Sequence, residues 1–186
     1  MKSGISVTLI IIFILALAET STSEGEPPKQ LIDKGACPSE CCVYRTWKTE
    51  KNTIAYATPD RSSKIVGTFK ADTIVEGLTG EVHVYPSRFI VKKVHGKYKP
   101  GDEVWVYTYK GEGYFKVWFQ GTMFEEDLNF SPYGGSSGKR CEQSSRCWGE
   151  LETELKFIWW VKIKSSEGWV GWSDEPENFS NKDACG

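Results

Sequence analysis

The sequence predicts an all-β protein built of one or two small barrels with disulfides, and three observations lead to this prediction. From residue 43 onward, segments of about four to eight residues rich in Val, Ile, Trp, Tyr and Phe alternate with turn residues. Turn signals recur at short intervals, at Pro59-Asp60, Thr79-Gly80, 99–101, 111–113 and Glu167-Gly168. The cysteine count is even, which is typical of small disulfide-stabilised domains.

Residues 1–18 have the pattern of a secretory signal peptide. Lys2 precedes an apolar run over 5–17, and Ala16-Leu17-Ala18 has the small-x-small form of a cleavage site. The run is shorter than the roughly 20 residues of a membrane-spanning helix, and no second run follows. We therefore expect a secreted or periplasmic protein, cleaved after Ala18, with no transmembrane segment in the mature chain.

The residues after the leader divide into a polar segment and a long β region. Residues 19–36 contain Pro27-Pro28 and predict a flexible N-terminal segment. Residues 37–186 form the β region, with strands expected at NTIAYA, TIVEGL, RFIVKKV, DEVWVYTY, YFKVWFQG, FIWWVKIK and GWVGWS. A short helix competes with a strand at GELETELKF. The glycine- and serine-rich stretch 131–140 predicts a mobile loop.

The chain has six cysteines: Cys37, Cys41, Cys42, Cys141, Cys147 and Cys185. Six cysteines allow fifteen disulfide pairings, and the sequence alone does not choose among them. We expect Cys141 to pair with Cys147, which closes one short loop, and Cys185 to tie the C-terminus to the N-terminal cluster. A metal site is disfavoured because CPSECC lacks a C-x-x-C pair, and no cofactor is expected.

Two stretches of the β region resemble the bacterial SH3-like (SH3b) family. The stretch 58–78 matches the first half of the family pattern at Pro59, Ser63, Ile65, Gly67 and Val75. The family's closing W-x-K-hydrophobic and G-W-V motifs are matched at Trp160, Lys162, Ile163, Gly168, Trp169 and Val170. Ala71-Asp72 stands where the family usually has Gly-Asp or Gly-Glu. The resemblance covers about a third of the chain and implies an SH3-like barrel that binds cell-wall material or an envelope protein.

The spacing of the matched halves is too wide for one ordinary SH3-like domain. The halves lie at roughly 43–84 and 155–175, and 85–130 carries a further β pattern between them. Either two SH3-like units follow one another, or a second β unit is inserted into the first.

Four of the eight tryptophans lie between residues 159 and 172. Strand alternation places Phe157, Trp159, Val161 and Ile163 on one apolar face, and it groups Val170 with Trp172; we predict that Trp159, Val170 and Trp172 lie in the core. The opposite, more open face gives the predicted ligand-binding shelf of Trp160, Lys162 and Trp169. Core packing alone is the competing explanation, since most aromatic side chains of small barrels are buried.

A second aromatic strand face has two interpretations. Trp105, Tyr107 and Tyr109 alternate with valines in DEVWVYTY. These rings either pack under the other unit or line a peptide-binding groove of the kind that SH3 domains use.

No catalytic motif emerges from the sequence. For Ser-His-Asp or Cys-His catalysis the only candidate general bases are His83 and His95, and neither adjoins a nucleophile motif such as G-x-S-x-G. Glu112 and the acidic run Glu125-Glu126-Asp127 supply carboxylates of the kind that hydrolyse glycosides in pairs, but no spacing selects a pair, and the acidic run is expected to be a solvated loop. The net charge is −2 and no dense Lys/Arg block stands out, which disfavours a nucleic-acid partner.

The sequence therefore favours a non-catalytic, exported binding protein whose partner is peptidoglycan or an envelope protein. A secreted inhibitor of a hydrolase, presenting a loop such as 131–140, is the main alternative. An envelope enzyme of unrecognised type is the third. The oligomeric state stays open.

Overall fold

The computed structural model describes residues 25–37, 41–128 and 147–184. The predicted signal peptide 1–18, the predicted loop 131–140, Cys141 and Cys185 lie outside these ranges. Within them the chain is all-β, with no α-helix, which confirms the all-β part of the predicted fold, and GELETELKF forms no helix. None of the helical turns in these ranges has the length and apolarity needed to cross a membrane.

The described strands are all antiparallel to their neighbours. In chain order they are β1 (Leu31–Lys34), β2 (Thr46–Thr49), β3 (Thr53–Tyr56), β4 (Ile65–Phe69), β5 (Ile74–Tyr85), β6 (Ser87–Val91), β7 (Glu103–Gly111), β8 (Tyr114–Phe119), β9 (Thr122–Asp127), β10 (Gly149–Leu151), β11 (Lys156–Lys164), β12 (Val170–Ser173) and β13 (Phe179–Ser180). A 3-10 turn, Pro176–Asn178, precedes β13.

These strands form two sheets. The first has the order β13-β2-β5-β11-β12-β3-β4, with β1 paired to β5. Some of its strands precede the second sheet in the sequence, and the others follow it. The second has the order β10-β6-β7-β8-β9 and lies in one stretch of the chain between β5 and β11. The long β5 pairs with β11 along most of its length, and this two-stranded ribbon is the central pair of strands in the first sheet.

The first sheet curls into a half-barrel. The ring centroids of Phe69 in β4 and Phe179 in β13 are 6.0 Å apart, although these strands lie at opposite ends of the sheet. The enclosed core is built around the fully buried Trp47. Gly77 is required beneath this indole, because a Cβ there would lie 2.8 Å from the Trp47 ring.

Several turn residues have positive φ. Glu112 and Gly113 have φ of 51° and 90° between β7 and β8, as the predicted turn requires. Asp72 has φ of 57° between β4 and β5, and aspartate is among the few residues that enter this region readily. The predicted turn at Thr79-Gly80 is wrong, because both residues lie inside β5 beside a register shift of the β5–β11 pair.

The N-terminal segment is not entirely the flexible tail expected for 19–36. Leu31–Lys34 forms β1 and pairs with Glu81–Val84 of β5. Further upstream, the carbonyl of Pro28 accepts a 2.7 Å hydrogen bond from the hydroxyl of Tyr107. The polar composition hid this strand because an edge strand needs only one apolar face.

One disulfide is defined and two further cysteines are oxidised. Cys37 is bonded to Cys42, with Cα atoms 5.8 Å apart. Cys41 and Cys147 are also disulfide-bonded, and no described cysteine is free. The backbone N–H of Ala184 donates to the carbonyl of Cys41 at 2.7 Å, which brings the end of the described chain to the N-terminal cysteine cluster. The pairings expected for Cys141 and Cys185 fall outside the described residues and stay predictions.

The aromatic face of β7 packs mainly against the first sheet. Tyr107 is buried and belongs to the core of the first sheet, and Trp105 packs against that core. Tyr109 instead packs against the core of the second sheet, because the β7–β8 pairing shifts register between Val106 and Tyr109. Of the two interpretations of this face, packing under the other unit therefore holds for Trp105 and Tyr107.

Candidate functional site

The two tryptophans of β11 lie on opposite faces of the first sheet, as strand alternation requires. Trp159 lies with Val161 and Ile163 in the core, which confirms that part of the prediction. Its indole N–H donates to the hydroxyl of Tyr44 at 3.2 Å. Phe157 was expected on the same buried face but is 49% exposed, although its cross-strand neighbour Val84 belongs to that core.

Trp160 is not on an open face. Its residue is only 3% exposed, less than Trp159 at 8%. The ring of Tyr56 covers it edge-on at 5.9 Å, and the ring of His83 lies 6.3 Å away. The outer face of the sheet thus has its own small aromatic cluster of Trp160, Tyr56 and His83. The lysines that share this face of β11 had indicated an open surface instead.

Trp169 and Trp172 occupy the reverse of their predicted positions. Trp169 stacks on Phe69 inside the half-barrel, with ring centroids 4.7 Å apart. Gly67 makes room for this indole, since a Cβ there would lie 3.0 Å from it. Trp172 pairs with Lys162 on the outer face, where the lysine ammonium lies 5.7 Å from the indole. The shelf of Trp160, Lys162 and Trp169 is therefore not assembled, because Trp169 lies on the other side of the sheet.

A cleft of about 880 Å³, here called the outer cleft, runs beside the β5–β11 ribbon. The ribbon contributes His83, Tyr85, Phe157, Ile158, Trp159 and Trp160. The remaining lining residues come from the N-terminal segment, the β3–β4 turn and the segment before β13: Gln30, Pro59, Asp60, Arg61, Asp174, Pro176 and Glu177. Tyr85 and Phe157 are 40% and 49% exposed, so two aromatic side chains of the cleft are accessible to a ligand.

The rim of the outer cleft carries fixed charges. Arg61 donates from Nε to the carboxylate of Asp174 at 2.6 Å, and the Asp174 side chain is only 4% exposed. The carboxylate of Asp60 accepts from the backbone N–H and the hydroxyl of Ser62, both at 2.8 Å. The Ser62 backbone N–H holds the pKa of Asp60 below its usual range, so this carboxylate stays ionised.

His83 lines the outer cleft but is occupied by its neighbours. One ring nitrogen lies 3.3 Å from the side-chain amide of Gln30, and the other lies 3.1 Å from the carboxylate of Glu81. Both nitrogens are engaged in this arrangement, and no Ser, Thr or Cys of the described chain bonds to the ring. A role as general base requires one of these contacts to break.

A second, smaller cleft of about 270 Å³ opens at the mouth of the half-barrel. Trp169 forms one wall, and residues 66–70 of β4 and the following turn form the opposite one. The hydroxyl of Ser165, which also belongs to this cleft, is buried without a hydrogen-bond partner. The predicted binding residues are thus divided between two clefts, Trp160 in the outer cleft and Trp169 in the mouth, while Lys162 lines neither.

The acidic run and the second histidine have structural partners. Glu125-Glu126-Asp127 belongs to β9 and is not the solvated loop expected. Glu126 accepts a 2.6 Å hydrogen bond from the hydroxyl of Tyr98, and burial raises the pKa of that tyrosine. His95 stacks on Trp148, with ring centroids 4.6 Å apart.

Sequence reasoning missed the residues that line the rim of the outer cleft. Arg61 and Asp174 are 113 positions apart, and no local pattern connects them. Tyr85 ends β5, where period-two alternation no longer tells a buried ring from an exposed one. The only available signal was the turn at Pro59-Asp60, which indicated a loop but not what the loop faces.

Comparison of the chain with protein-family models, with curated proteins and with solved structures gave no match.

Proposed function

We propose that this chain is an exported, non-catalytic binding protein whose outer cleft recognises cell-wall material or another envelope protein. The observation that carries the proposal is the outer cleft itself, in which the accessible rings of Tyr85 and Phe157 adjoin a charged rim. Aromatic rings stack on the apolar faces of sugars and on side chains, whereas the rim offers hydrogen bonds. Both peptidoglycan and protein surfaces present such mixed ligands.

The proposed fold is SH3-like, with the second sheet inserted between the two halves of the SH3-like unit. Two residues of the family pattern from distant parts of the chain meet in the half-barrel, since the indole of Trp169 lies against Gly67. The second sheet lies in sequence between these halves. Both observations support an interrupted barrel over two barrels in tandem.

The state of the cleft's one histidine argues against histidine-based catalysis there. His83 is 8% exposed and is held between Gln30 and Glu81. Catalysis by proton transfer needs a base within hydrogen-bond reach of a substrate group, and here the imidazole reaches its own neighbours instead.

The test is a pull-down on purified peptidoglycan with the mature protein. We expect retention of the wild type at low salt and its loss in Tyr85→Ala/Phe157→Ala, which removes two accessible rings at little cost in stability. Tyr114→Ala/Val170→Ala is the matched control, because these side chains are 46% and 39% exposed and lie outside the cleft.

Retention that is equal in the cleft variant and in the control would remove the outer cleft from the proposal. If the wild type is not retained, the same variants are compared in a cross-linking pull-down from an envelope extract. Capture of the same partners by all three proteins would then contradict the proposed function.

A further inference from the structure

One segment of the second sheet concentrates positive charge. The stretch 92–99, KKVHGKYK, has four lysines and no acidic residue, in a chain whose net charge is −2. All four lysine side chains are exposed, and Val94 between them is 73% exposed. We call 92–99 the basic hairpin. In the sequence its lysines are interleaved with Val, His, Gly and Tyr, so that they do not stand out as a block.

The basic hairpin is held in one conformation. The backbones of His95 and Tyr98 exchange two hydrogen bonds, of 3.2 and 2.9 Å. Their rings stack on Trp148, with centroids 4.6 and 4.8 Å from the indole, and the backbone N–H groups of Lys92 and Lys93 both donate to the carbonyl of Trp148. The lysines are therefore presented from a fixed support, which lowers the entropy lost when they bind a ligand.

Most of this charge is not neutralised within the protein. Lys92 forms an ion pair with Glu150 at 2.8 Å. The ammonium of Lys97 lies 3.8 Å from the ring centroid of Phe124, a contact that keeps its charge. In the described ranges no carboxylate forms an ion pair with the ammonium of Lys93, Lys97 or Lys99.

We propose that the basic hairpin is a binding site for a linear polyanion without nucleobases, a polymer with repeating phosphate or carboxylate groups. A polymer with repeated anionic groups contacts several of these ammonium groups at once, whereas one small anion contacts only one or two. Each further contact adds to the affinity of the polymer. A membrane surface fits less well, because Val94 is the only large apolar side chain exposed on the hairpin. A single-stranded nucleic acid needs a free aromatic face for base stacking, and the Trp148 indole is 2% exposed.

The experiment measures the affinity of the mature protein for two labelled probes, linear polyphosphate and poly-glutamate, at several salt concentrations. The test variant is Lys93→Gln/Lys99→Gln. Lys51→Gln/Lys110→Gln is the control, because it makes the same change in net charge at exposed lysines outside the hairpin. The probe that binds the wild type more tightly identifies the anionic group.

For the preferred probe we expect the hairpin variant to bind about tenfold more weakly at about 50 mM salt, and its plot of log K against log salt to flatten by about two. We expect the control to bind within about twofold of the wild type. Equal losses in both variants would overturn the proposal, because net charge alone would explain them. It is also overturned if neither polymer binds, or if anionic vesicles or a single-stranded oligonucleotide bind more tightly than both.

Discussion

The two sheets differ in how their parts reach one another along the chain. The second sheet is built between residues 87 and 151, mostly from consecutive hairpins, and its core is mainly Phe and Val packed with Trp148. The first sheet combines strands before residue 86 with strands after residue 155, and its core is centred on Trp47 and Trp159. The first sheet must bring distant parts of the chain together before its core forms, which costs loop-closure entropy. We therefore expect its stability to depend on a few large side chains and on the contacts that hold its N- and C-terminal strands together.

The largest expected effect tests the dependence of the first sheet on one side chain. Trp47→Ala removes a fully buried indole that lies 5.9 Å from Phe179 and 6.4 Å from Trp159, measured between ring centroids. We expect a loss of about 3–5 kcal/mol in the free energy of unfolding, measured by urea denaturation.

Hydrogen exchange of the same variant shows whether the two sheets unfold together. We expect amides of β5 and β11 to lose protection before those of β7 and β8, because the second sheet keeps its own core. Simultaneous loss in all four strands would show that the two sheets unfold as one cooperative unit.

A second prediction concerns the outer face of the first sheet. Trp160 is 3% exposed and in contact with Tyr56, so Trp160→Ala should lower the unfolding free energy by about 3 kcal/mol, close to the loss in Trp159→Ala. Phe157→Ala, at a side chain 49% exposed, is the control and should cost less than about 1 kcal/mol. A urea midpoint for Trp160→Ala near that of Phe157→Ala would mean that the outer cluster does not stabilise the fold.

The contrast between these tryptophans shows what the sequence was able to predict. Alternation of Phe, Trp and Val placed Trp159 correctly, because a two-residue period directly gives the inner face of a strand. It did not predict the burial of Trp160, since the ring that covers it, Tyr56, belongs to a strand about a hundred residues away in sequence. Along Trp159, Val161 and Ile163 of β11, the face turned to the core was local information, whereas what covers the other face was not.

The phase of β12 shows a second limit. Val170 and Trp172 were expected inside, yet Trp169 enters the half-barrel. Gly67 leaves space for the Trp169 indole. Which residues at β12 face the core therefore depends on that glycine rather than on the apolar residues of β12 itself. The outer cleft was unpredictable for the same reason, because it is formed by the β5–β11 ribbon and three further segments that only the closed first sheet brings together.

The third prediction measures how much the N-terminal disulfide contributes to the first sheet. Cys37→Ser/Cys42→Ser opens a loop with a sequence separation of 5. Chain-entropy arguments give about 2 kcal/mol for so short a loop, less than for Trp47 because little loop entropy is at stake. Thermal unfolding of the double variant without reductant measures this loss. A midpoint unchanged from the wild type would show that the first sheet closes without help from this bond.

The smallest expected effect lies at the boundary between the sheets. Tyr107 belongs to β7 of the second sheet but is buried in the core of the first, and its hydroxyl donates to the carbonyl of Pro28 at 2.7 Å. Tyr107→Phe keeps the ring and removes this hydrogen bond, so we expect a loss of about 1 kcal/mol at pH 7.

The pH dependence of this effect separates the boundary from either core. Burial raises the pKa of Tyr107 to about 12, whereas an unfolded tyrosine loses its proton near pH 10. Between these values the unfolded chain binds fewer protons than the folded one. The contribution of Tyr107 to the free energy of unfolding therefore falls as pH rises from 10 to 12. We expect urea midpoints to decline less steeply over this range in Tyr107→Phe than in the wild type. Tyr114→Phe, at a tyrosine 46% exposed in β8, is the control and should decline as the wild type does. Parallel declines in all three proteins would show that the Tyr107 hydroxyl ionises freely, and that the two sheets do not bury it between them.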